Sequence, residues 1–161
     1  MNFVSILEAG RSDFLEAVRE VAPAKVTAKP ARGWTVLECI EHVVTVEKRY
    51  LEWIAEGKEI PPQRDTEKEM RLFAIMRSRL TKVETPEPMR PCGKLTSLEA
   101  ALAEFQATRD RSVSMVRDRG DSLSAIGATH PYFGAVNGTD LVQMIDGHAR
   151  RHADQIRETW D

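Results

Sequence analysis

The sequence predicts an all-α domain: a four-helix bundle with a short extra helix in the long crossover between the second and third long helices. Three observations carry that prediction. Four stretches, near residues 2–21, 36–56, 97–119 and 139–160, repeat apolar residues at helical period. Hydroxyl-x-x-carboxylate start signals precede two of them, at Thr35 with Glu38 and at Thr96 with Glu99. A connection of about forty residues separates the second long helix from the third, far more than antiparallel neighbours need, so those two are expected to point the same way.

Each element has its own justification. Phe3, Leu7, Phe14, Val18 and Val21 share one face of the first helix, Gly10 fills a place in the stripe, and Pro23 ends it. The second helix is expected to stop at Gly57. Its apolar residues cover more than one stripe, which predicts packing on two sides and leaves room for a homodimer. Pro61 and Pro62 mark a surface loop, and a short helix is expected over 66–82, starting at Thr66 with Glu69 three residues on. Pro86, Pro88, Pro91 and Gly93 mark another loop. The third long helix runs to Gly120. Residues 120–138 read as a long connection without a clear strand pattern, and the last helix begins near Thr139 or Asp140.

Composition narrows the function. At 161 residues the chain reads as one domain, 1–161, with enough length for a core without staples. A net charge of −2 gives no electrostatic footprint for nucleic acid or an anionic membrane. Apolar runs are too short to span a bilayer, and Met1–Ser5 lacks the layout of a signal peptide. Cys39 and Cys92 have no metal-finger or CxxC spacing and read as reduced thiols of a cytoplasmic protein.

The chemistry concentrates in the last helix. Leu141, Ile145, His148, His152 and Ile156 step along one face, so two histidines occupy an apolar stripe where Leu or Ile would serve packing better. Residues four apart on a helix are neighbours and can grip one metal ion. In the second helix Cys39, His42, Val46 and Tyr50 share a face, so His42 also points toward other elements. His42, His148 and His152 would thus bring three imidazoles from two helices and leave coordination positions open, the pattern of a catalytic rather than a closed structural site. Imidazole suits zinc, nickel, iron or copper, so the residue types alone do not pick the metal; zinc or nickel is the leading expectation, with iron, manganese or copper as alternatives.

Three blocks then resemble a known family: Trp34-Thr35-Val36-Leu37-Glu38-Cys39-Ile40-Glu41-His42, His130-Pro131-Tyr132-Phe133-Gly134, and His148-x-x-x-His152-x-x-Gln155-Ile156. Together they look like the DinB/YfiT-like superfamily of bacterial metal-binding proteins. The resemblance covers nearly the whole chain. It implies a bundle in up-down-down-up order, and a metal triad at His42, His148 and His152. Some relatives are transferases or isomerases that use a low-molecular-weight thiol, and many have no established reaction.

Other residues keep two readings. Glu38 and Asp146 can orient an imidazole or act as a base, or serve as solvated helix carboxylates. Gln155 can hydrogen-bond a ligand ring. His130 lies before a proline and reads mainly as a turn residue. Cys39 reads as packing rather than a fourth ligand. Arg150, Arg151 and Arg157 form a charged face or contact an anion. The leading expectation is a metal-dependent enzyme, in which the ion activates a thiol or water against a small electrophilic substrate, as a thiol S-transferase or a hydrolase. The alternatives are a non-catalytic metal-binding module and a helical interaction domain.

Overall fold

In the computed structural model, residues 2–160 are described; Met1 and Asp161, the ends of the predicted span, lie outside them. Five helices form: α1 (Phe3–Arg19), α2 (Val36–Glu56), α3 (Thr66–Arg77), α4 (Leu98–Arg119) and α5 (Gly138–Trp160). Cross-helix pairs fix their directions. Gly10 meets Asp146 and Glu20 meets Arg157, so α1 and α5 run parallel. Glu41 holds the backbone just before α4 while Glu47 reaches Arg109 and Ser112, so α2 and α4 run parallel. Leu7 pairs with Arg109 and Phe14 with Phe105, which makes α1 and α4 antiparallel. Trp34 meets His152 while His42 meets His148, which makes α2 and α5 antiparallel. The four long helices are therefore up-down-down-up, with α3 packed on the outside of α5. Among the described residues no helix is long and apolar enough to cross a membrane.

Local chemistry sets most boundaries. Thr35 and Glu38 form both halves of the capping box at α2: Thr35 Oγ1 accepts from the Glu38 N–H at 3.1 Å, and Glu38 Oε2 accepts from the Thr35 N–H at 2.7 Å. At α4 the cap is Ser97 rather than Thr96, with Ser97 Oγ on the Ala100 N–H. α3 begins at Thr66 as expected, with Asp65 rather than Thr66 as its cap, and ends at Arg77 rather than 82. In both cases a neighbouring acceptor took the role, since any short polar side chain in extended backbone can cap. Asn137 and Asp140 cap α5 reciprocally, one residue ahead of the expected start.

The long connection holds strands that no sequence pattern revealed. Beyond a 3-10 turn at Gly120–Ala125 come β2 (Ile126–His130) and β3 (Gly134–Asn137), and β1 (Lys58–Glu59) pairs with β2. Strands of two to five residues are too short to show an alternation. Gly57 is extended, not left-handed. Its missing side chain matters because a Cβ there would collide with Ile126 and crowd the Gly127 carbonyl. A side chain at Gly10 would likewise collide with the Asp146 carboxylate, so glycine lets α1 and α5 approach.

Two apolar clusters fill the bundle, one around Phe14, Ile40, Phe105 and Ile156, the other around Leu7, Ile54, Leu141 and Met144. At their seam Arg109 donates to both Glu47 oxygens, at 2.8 and 3.0 Å, and to the Leu7 carbonyl at 2.7 Å. Ser112 completes the Glu47 carboxylate at 2.6 Å. This buried network joins three helices, and removing one charged partner would leave the other stranded at a cost of about 3–5 kcal/mol.

Candidate metal centre

The site is built where the first turns of α2 lie against the middle of α5. His42, His148 and His152 are 5, 8 and 5% exposed. His42 Nε2 lies 3.0 Å from His148 Nε2, and His152 Nε2 lies 3.2 Å from the same atom. Three ligand atoms, one from each ring, fall within 4.8 Å of one another. Tetrahedral bonds of about 2.0–2.1 Å to a zinc-like ion separate ligand nitrogens by about 3.3 Å; the two separations from His148 match this, and the wider spread of up to 4.8 Å would have to close on binding.

Hydrogen bonds behind the rings decide which nitrogens face inward. His42 Nδ1 lies 2.6 Å from the Met89 carbonyl oxygen, which can only accept; Nδ1 therefore carries the proton and Nε2 presents a lone pair. His152 Nδ1 lies 2.9 Å from Gln155 Oε1, an oxygen that Arg79 Nη1 also approaches at 3.5 Å, so it too donates backward. The lone pairs of His42 and His152 are both turned on His148 Nε2. Burial, then the neighbouring rings and Arg151, hold His148 well below the usual imidazole range. Burial likewise lowers His42 and His152. Without an ion, a proton on His148 Nε2 can bridge the two facing lone pairs; a cation can take the same place, and backward hydrogen bonds of this kind orient metal-binding imidazoles. The residues present fit a divalent metal.

Sequence reasoning missed the Met89 carbonyl because a backbone acceptor leaves no residue signature. The loop presenting it is tied down by Glu41, whose carboxylate accepts from the backbone N–H groups of Cys92, Gly93 and Lys94. Trp34 lies over the centre, its ring 4.7 Å from that of His42 and stacked 6.1 Å from that of His152. A cleft of about 500 Å³ between α2 and α4 has Glu41 and Met89 in its wall, but none of the three histidines lines it.

The other candidates go elsewhere. Glu38 is occupied by its cap and by Lys29 at 2.8 Å. Asp146 faces α1 and pairs with Arg150 at 2.9 Å; burial pushes its carboxyl up. Neither carboxylate hydrogen-bonds a triad ring. Cys39 is buried, and burial pushes its thiol up to about 12, so it is not poised as a thiolate. His130 lies on β2 among Tyr50, Trp53, Tyr132 and Phe133, away from the triad.

A family model matches residues 6–156, nearly the whole chain. The chain belongs to the DinB superfamily. Among solved structures, one from Bacillus subtilis resembles this DinB-superfamily protein over 98% of its length and 83% of the other chain, with a TM-score of 0.61 and 16% identity. That protein, YfiT, is described as a probable metal-dependent hydrolase with an unusual four-helix bundle topology. At such identity the likeness establishes the shared fold. No curated protein matches the chain by sequence.

Proposed function

We propose that this DinB-superfamily protein is a metal-dependent enzyme acting on a small electrophilic substrate, with His42, His148 and His152 as its ligands through Nε2. The observation that carries the reading is the outward pairing of two Nδ1 atoms, which leaves lone pairs converging in a buried space. When bound, a divalent ion supplies Lewis acidity, lowering the pKa of a water or thiol at an open coordination position. The chain does the rest. Met89 and Gln155 hold two rings in their working tautomers, and Trp34 shields the ligands from bulk water. Among the described residues no carboxylate hydrogen-bonds the rings, so these residues supply no built-in carboxylate base. A nucleophile made acidic enough to ionise without one suits it, and a low-molecular-weight thiol fits that description better than water. The name given to YfiT supports the hydrolytic variant instead.

The deciding experiment loads purified protein with zinc, nickel, iron, manganese or copper. It then assays ester and amide hydrolysis with and without an added thiol, beside thiol transfer to alkyl halides and epoxides. Turnover only with thiol supports transfer, and turnover without it supports hydrolysis. Full metal occupancy with neither activity would favour a non-catalytic metal-binding module.

A further inference from the structure

Three arginines lie near the paired histidines of α5, and the fold sends them to different places. Arg157 pairs with Asp13 at 3.0 Å and Arg150 with Asp146 at 2.9 Å, so both are neutralised on the α1 side. Arg151, three residues after His148 and next to His152, turns the other way. Its Nη2 donates to the Thr81 carbonyl at 2.8 Å, and among the described residues no carboxylate forms an ion pair with it. Arg79, from the same segment as Thr81, reaches the Gln155 oxygen that holds His152 and pairs with Glu158 at 3.2 Å. Both guanidinia thus lie where the Arg79–Thr81 segment meets α5, one on the Thr81 carbonyl and the other on Gln155.

Around the triad the charges are unevenly paired. Lys29 is matched by Glu38 and Arg79 by Glu158. Glu41 is fixed on the α2 side by backbone N–H groups, while Arg151 meets only a carbonyl oxygen. The three neutral imidazoles contribute no charge, and a divalent ion would add two positive ones. Like charges gathered in a half-buried place are unfavourable unless an anion joins them.

We infer that Arg151 and Arg79 form an anion-recognition rim beside the histidine triad, and that the molecule using this site carries a carboxylate a few bonds from its reacting atom. The inference rests on the metal reading above and names the substrate class for it. A guanidinium fork matches a carboxylate with two parallel hydrogen bonds. Binding would exchange Arg151's neutral bond to Thr81 for a charge-assisted one, so the Ser78–Val83 segment would loosen as the anion arrives.

The test uses full-length protein reconstituted with cobalt(II), titrated with 3-mercaptopropionate and with 3-mercapto-1-propanol, its uncharged analogue of equal length. The sulfur-to-cobalt charge-transfer band reads thiolate binding without any turnover. The carboxylate thiol should bind the wild type at least about tenfold tighter. R151Q and R79Q should each erode that preference and the double variant should abolish it, all compared as cobalt-saturated protein. R151K, which keeps the charge but not the fork, should recover part of it and covers the case in which R151Q folds poorly. Equal affinity for the two thiols in the wild type, or a preference that survives the double variant, overturns the rim and leaves the metal site standing. A wild type that takes up no cobalt overturns both.

Discussion

Two groups of buried histidine in this molecule look alike by sequence and differ in kind. At the triad, ring nitrogens face ring nitrogens, and the Nδ1–H donors of His42 and His152 point outward. At His130, 6% exposed, both nitrogens are satisfied. The Tyr132 backbone N–H donates to Nδ1 at 3.0 Å, which puts the proton on Nε2, and Nε2 then donates to Tyr50 Oη at 3.1 Å. Tyr50, Trp53 and Phe133 close around that ring. Burial pulls His130 down to about 4. A lowered pKa is thus common to both groups and diagnoses neither. The arrangement of hydrogen bonds separates them: His130 ties the β2–β3 hairpin to α2 through partners on both sides, whereas the triad turns three Nε2 atoms on one another, where a proton on His148 or a cation can sit.

Substitutions should separate the two groups further. The largest expected effect is at His148, on which the other two rings converge. His148→Ala should drop metal content from about one ion per chain to under about one-tenth, measured by elemental analysis after reloading.

His130→Ala should do the opposite. Metal content should hold, while unfolding stability falls by about 2–4 kcal/mol in denaturant titration, through the cavity and the buried Tyr50 hydroxyl left without its partner. Metal loss equal to that of His148→Ala would mean the triad is wrongly assigned.

Acid should act on the His130 side with a definite sign. Its folded pKa lies below that of the unfolded chain, so its contribution is intact above about pH 6.5 and is lost as pH falls toward about 4, amounting to at most about 3 kcal/mol. A His130→Phe variant should show a shallower decline over that window; an unchanged slope would assign the acid sensitivity elsewhere.

A smaller effect is expected at Gln155, which orients His152. Gln155→Ala should weaken metal affinity about 10–100-fold without abolishing it, read by chelator competition. Tyr50→Phe should be the mildest, about 0.5–1.5 kcal/mol of stability with no change in metal affinity.

The contrast also explains what was legible beforehand. His42, His148 and His152 stood out because two lay in an apolar stripe and the third on an inward face, and period alone predicts which side of a helix a residue occupies. Asp146 sits only two positions from His148, yet faces α1 through Gly10; a carboxylate beside a histidine in sequence lies about 200° around the helix from it. Position 109 falls in the apolar stripe of α4, and an arginine there was a readable sign of a buried partner, which Glu47 supplies. The β2–β3 hairpin was unreadable because its strands are too short to carry a period.

Helix period, the capping box at Thr35 and the length of the crossover are local properties of the chain, and by themselves they determined four long helices, their inward faces and the parallel course of α2 and α4. Which nitrogens of His42 and His152 turn inward, where the three arginines of α5 go, and why His130 is complete were decided by partners far off in sequence: Met89, Thr81, Asp13 and Tyr50. Period fixes the face a side chain occupies, but only the packed neighbour fixes which of its atoms is left without a partner.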